Sequence, residues 1–132
     1  MTGRGRRARR TREPDHRPAS GVFAAAATSY AANCALGAAV AARLIDTRRF
    51  RWVHHALYIL TCVTTGFAVV AGLATGTPRG RRAALALLPA AVPLAVIPSA
   101  GTHTRRHPLV ALTAAPFVLA GLVVSRRPSD RK

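Results

Sequence analysis

Four stretches of this chain, at about 21–42, 52–77, 83–102 and 107–125, each run for 18 or more residues without one Asp, Glu, Lys or Arg. At about 1.5 Å per residue in a helix, each reaches the ~30 Å of a bilayer's hydrocarbon core, the last only just. Backbone donors and acceptors inside lipid must be satisfied within the segment, which leaves helices or a closed barrel. Barrel strands alternate apolar and polar residues over about ten positions, and no such alternation is present. The expected fold class is therefore all-α, an integral membrane bundle of four transmembrane helices.

The charges are confined to what remains. The 132 residues carry 20 Lys+Arg against 4 Asp+Glu, a net charge of +16. A soluble domain mixes its charges along the chain, and this one segregates them. Residues 1–20 read as a disordered, basic, proline-interrupted tail, 21–125 as the four-span domain, and 126–132 as a second basic tail. Beside an anionic leaflet each basic residue adds about 1 kcal/mol of attraction, so the expected partner of the tails is a bilayer with anionic headgroups. Nucleic acid is not expected, because no aromatic side chains are interleaved with the arginines to stack on bases.

With four spans, both tails and the second loop share one side and hold 14 of the basic residues, against six in the other two loops. The positive-inside rule then makes both termini cytoplasmic. Arg43, Arg48, Arg49 and Arg51 dissent, forming a basic loop on the outer side. If the first stretch failed to span, that loop would lie inside and three spans would remain. The first stretch is the weakest, since 11 of its 22 residues are Ala. It is longer than a signal-peptide core and reads as a retained anchor. Pro89, Pro93 and Pro98 predict a third span that is kinked or locally widened, with neighbours re-satisfying the freed carbonyls.

Packing signals are stronger than catalytic ones. Gly21, Ala25, Ser29, Asn33, Gly37 and Ala41 recur every fourth residue and form one stripe of small or short polar side chains. The second span answers with Thr64, Ala68, Gly72 and Gly76. Such stripes let helices approach closely, and Asn33 can hydrogen-bond across the contact. They serve either to join the halves of one bundle or to dock a membrane protein partner or a second copy.

No Asp or Glu lies within any span. The chain resembles the small four-span multidrug transporters in size and span count, but nothing here occupies the position of their membrane-embedded Glu, so proton-coupled export is not expected. The histidines offer the one candidate ligand set. His54 and His55 begin the second span, and His103 and His107 begin the fourth at the same membrane depth, the latter two as an H-x3-H pair. Together they would suit zinc, copper or haem, with Asp46 outside them. The competing reading makes them headgroup-level residues beside Trp52, with Arg105 and Arg106 opposing a metal cation. A polar stripe continues from His54 through Tyr58, Thr61, Cys62 and Thr65. Cys34 and Cys62 lie at similar depth, which permits a disulfide, although buried cysteine in an apolar helix is usually inert. No phosphate loop, HExxH or C-x-x-C is present.

The expectation is thus a non-enzymatic accessory or structural subunit of a membrane complex, without a resident cofactor. The alternatives are a metal- or haem-binding protein using the four histidines, and a passive small-solute transporter built on the proline-rich third span. Arg outnumbers Lys by 19 to 1. Together with the Ala, Gly and Pro content, this resembles the small membrane proteins of high-GC bacteria and implies an inner-membrane location.

Overall fold

The computed structural model describes residues 17–45, 51–100 and 106–127. Helix α1 (Arg17–Ala41) and α2 (Arg51–Ala74) are continuous. The third span is divided into α3 (Pro78–Leu87), a 3-10 turn (Leu88–Ala90), α4 (Ala91–Val96) and a second 3-10 turn (Ile97–Ala100). The fourth comprises α5 (Arg106–Thr113) and α6 (Ala115–Arg126). No strand occurs among the described residues, and the fold is all-α.

Proline sets this segmentation. Each of the seven described prolines (Pro18, Pro78, Pro89, Pro93, Pro98, Pro108 and Pro116) lies in the first three residues of a helical segment. At Pro18 and Pro78, which open a span, that N–H has no intrahelical partner and its absence costs nothing, whereas at Pro89, Pro93, Pro98 and Pro116, inside a span, it frees a carbonyl of the preceding turn. The third span accommodates its prolines by tightening into 3-10 turns and not by widening. The break at Ala114, just before Pro116, was not anticipated from the sequence, although Pro116 is its signal.

Four helical stretches, Ser20–Ala41, Trp52–Ala74, Pro78–Ser99 and Leu109–Arg126, are long and apolar enough to cross a membrane. The first is the least apolar, as its alanine content implies. The basic residues Arg79, Arg81 and Arg82, expected in a loop, instead lie in the opening turns of α3.

Around the bundle, α1 packs on α2 and α6, and α3 packs on the same two helices. The four spans therefore form a ring in chain order, with successive spans antiparallel. A three-residue turn, Thr75–Thr77, joins α2 to α3. In it Gly76 adopts φ +63°, a left-handed conformation that glycine takes without steric cost. The Thr77 hydroxyl accepts from the Gly80 N–H at 3.1 Å and caps α3.

The interior is built from small side chains. Ala26, Ala68, Ala83, Ala84, Ala90 and Ala114 are fully enclosed, together with Phe23, Tyr30, Leu87 and Val118. Most large apolar residues point outward, among them Ile59, Val63, Phe67, Val70, Leu85, Val92, Leu112 and Leu119. In water this would be an aggregation surface, whereas in a bilayer it is the lipid contact. Size segregation of this kind, with four apolar helices, is compatible with a small polytopic membrane protein.

Candidate functional site: intramembrane contacts and open faces

The two small-residue stripes meet at their centres. The hydroxyls of Ser29 on α1 and Thr64 on α2 share a hydrogen bond at 2.7 Å. Ala68 is buried beside this contact. Gly72 makes the closest approach of its stripe, chiefly to the third span: a Cβ there would lie 2.8 Å from the Gly80 carbonyl oxygen and 2.9 Å from the Ala84 Cβ, and 3.0 Å from the Phe23 ring of α1. Gly121 on α6 meets the same helix from the other side, where a Cβ would sit 3.0 Å from that of Leu87. Glycines on both flanks let α3 sit close to α2 and α6 together.

The rest of the stripes is not used in this way. Gly76 lies beyond the end of α2, has open space around it, and serves the turn, so the second stripe ends at Gly72. Gly21 and Gly37 likewise have nothing within 4 Å of a built Cβ. Ala25 and Ala41 are exposed. Between them, Asn33 has its Oδ1 buried without a hydrogen-bond partner. The α1 stripe is thus engaged at Ser29, partly enclosed at Asn33, and open at Gly21, Ala25, Gly37 and Ala41.

Two tyrosines make long-range contacts that sequence reasoning missed. The Tyr30 hydroxyl donates to the Ala111 carbonyl at 2.7 Å, in the last turn of α5 before the break at Ala114. The Tyr58 hydroxyl donates to the Leu94 carbonyl at 2.8 Å, in α4. Leu94 O is the acceptor that the N–H of residue 98 would have satisfied, and residue 98 is proline. Re-satisfaction of freed carbonyls by neighbours, expected for the third span, has Tyr58 as its agent. Tyr58, part of the polar stripe on α2, thus reaches across to the third span. Both tyrosines precede a cysteine by four residues, a pattern visible in the sequence, but the acceptors lie on other spans and depend on their register.

The polar stripe on α2 turns to the interior. Thr61 is fully buried and donates to its own helix at Leu57 O, 2.8 Å away. Thr65 is also buried, and its Oγ1 has no partner. Cys34 and Cys62 are free thiols, each partly buried, and the disulfide that their depth permits is not formed.

His54 and His55 fall in the first turn of α2, the former partly buried and the latter exposed. The backbone of His107 begins α5 at the same end of the bundle, but α2 and α5 stand at opposite corners of the ring. His103 and Asp46, together with Arg48, Arg49 and Arg105, lie outside the described residues, as do most of the two basic tails. Among the described residues no three His, Cys, Asp or Glu side chains gather into a metal site. Trp52 is exposed at the same end, as an interfacial indole would be.

No family model, curated protein or solved structure matches this chain. Its function must be argued from its own surface. At the opposite end, around the turn from α2 to α3, a crevice of about 600 Å³ is lined by Leu73, Gly76, Thr77, Pro78, Arg81, Arg82 and Leu85.

Proposed function

We propose that this chain is a non-enzymatic accessory or structural subunit of a membrane complex, docking through the open part of α1. The observation that carries this reading is the unused part of the α1 stripe, where Ala25 and Ala41 are exposed and nothing approaches within 4 Å of the Cβ position at Gly21 or Gly37. Exposed small residues let the backbone of a neighbouring helix approach closely, and the partly buried Asn33 lies on the same stripe. Gly37 one turn on gives that helix the space to come close. The lack of any Asp or Glu within the spans supports a structural role over a transport or catalytic one.

In this reading the protein is multi-pass in a bacterial inner membrane with both termini cytoplasmic, holds no resident metal or haem, and has a membrane protein or a second copy of itself as its partner.

The test is purification of a C-terminally tagged chain from its native membrane after brief cross-linking, alongside Gly37→Leu and Asn33→Leu variants. The expected result is a stoichiometric cross-linked species in the wild type that is lost in both variants while their helicity and monodispersity persist. Association unchanged in both variants would sink the proposal. The identity of the species, foreign polypeptide or second copy, then separates hetero-complex from homo-oligomer.

A further inference from the structure

The crevice at the α2–α3 turn combines two kinds of wall. Arg81 and Arg82, both exposed, supply its cationic side, and Leu73 and Leu85, about half exposed on the lipid-facing surface, supply its apolar side. The turn between them is polar but internally satisfied. Thr75 Oγ1 donates to the Gly72 carbonyl at 2.9 Å, and Thr77 takes the Gly80 N–H through its hydroxyl and the Arg81 N–H through its carbonyl. The Gly80 and Arg81 N–H groups are therefore occupied, and the Arg81 and Arg82 guanidinium groups are what the crevice offers to an anion.

Among the described residues these guanidinium groups meet no opposite charge. The described residues contain no Asp or Glu, so no carboxylate among them faces Arg81 or Arg82. Arg126 and Arg127 end the fourth span at the same end of the bundle and add positive charge there. A planar guanidinium forks onto phosphate oxygens with two parallel hydrogen bonds, and paired basic residues between transmembrane helices are a recurrent receptor for lipid headgroups. The apolar wall makes the ligand an amphiphile and not a free ion.

We infer that this crevice is a binding site for an anionic phospholipid, with the headgroup phosphate on Arg81 and Arg82 and the start of an acyl chain against Leu73 and Leu85. The site is independent of the docking face on α1. It needs neither a partner protein nor Asn33, so each can fail alone.

The experiment uses the full-length chain, stripped of lipid in a neutral detergent and titrated with phosphatidylglycerol, phosphatidylcholine or inorganic phosphate, with bound molecules counted by native mass spectrometry. Saturable binding of one phosphatidylglycerol is expected, with phosphatidylcholine weaker by about tenfold or more. Arg81→Gln with Arg82→Gln should lose about tenfold in affinity, and Arg126→Gln with Arg127→Gln, which removes the same charge, should change it less than about twofold. Leu85→Ser should weaken phosphatidylglycerol. Equal losses in the two arginine double variants would overturn the site in favour of diffuse attraction, and equal displacement by inorganic phosphate would overturn its assignment to lipid. Arg81→Lys with Arg82→Lys, which keeps charge and solubility, guards against a folding artefact and should bind at an intermediate level.

Discussion

The Tyr58 hydroxyl lies 2.8 Å from the Leu94 carbonyl oxygen, which has no α-helical donor because residue 98 is proline. A defect in one span is repaired by a side chain from its neighbour. Tyr30 ties α1 to the fourth span just before its break, at the Ala111 carbonyl, which also accepts from the Ala114 N–H. The two breaks are thereby held by the two continuous helices.

Removing the repair exposes the defect. Tyr58→Phe should destabilise the bundle by about 1 kcal/mol, the scale of a buried hydrogen bond whose acceptor is left unpaired. Pro98→Ala restores an N–H opposite Leu94 O, so the penalty of Tyr58→Phe should shrink in that background. Equilibrium unfolding in mixed micelles titrated with dodecyl sulfate measures both, and an unchanged penalty would show that the hydroxyl stabilises something else.

Two glycines in equivalent stripes should respond in opposite ways. Gly72→Leu drives a side chain into the Gly80 backbone and Ala84, where even a Cβ is too close, and should cost about 3 kcal/mol or prevent folding. Gly37→Leu meets open space and should leave monomer stability within about 0.5 kcal/mol of wild type, or raise it through better helix propensity. The same unfolding titration distinguishes them.

The Ser29–Thr64 bridge is the cross-helix polar contact between α1 and α2, at 2.7 Å. A double-mutant cycle with Ser29→Ala and Thr64→Ala should return a coupling of about 0.6 kcal/mol, the average for such bonds in membrane proteins. Coupling indistinguishable from zero would mean that each hydroxyl is served by its own helix, through Ala26 O and Leu60 O.

Topology follows from the charge distribution. Compartment-sensitive reporters placed after Gly76 and after Lys132 should read cytoplasmic, and one placed after Arg43 should read external. A cytoplasmic reading at Arg43 would mean that α1 does not cross the membrane.

How much of this was legible beforehand varied with the physics involved. The four spans were readable because lipid selects on hydropathy and length alone, which are local properties. The segmentation of the third span followed from Pro89, Pro93 and Pro98 for the same reason, yet its tightening into 3-10 turns depended on how neighbouring spans pressed on it. The stripe on α1 was visible as a pattern, whereas the division between Ser29, which is engaged, and Gly37, which is open, was not. That division depends on where α2 and α6 end along α1 and on the rotation of each helix. Gly76 read as a packing residue by its spacing from Gly72, although Thr75 and Pro78 around it were turn signals. Tyr30 and Tyr58 were opaque, because a hydroxyl on one span finds its acceptor only when the register of another is fixed.

The alanine interior and leucine-and-valine exterior also determine how this chain tolerates sequence drift. In a water-soluble bundle the outer positions vary freely in polarity and the inner ones exchange one large aliphatic for another. Here the outer residues can interchange among Ile, Leu, Val and Phe with little effect on the spacing of the helices. An added methylene at Ala68, Ala83 or Ala84, each wholly buried, instead enters a close-packed contact and works to push two helices apart. The separation between the helix axes is thus inscribed in residues that carry almost no side chain.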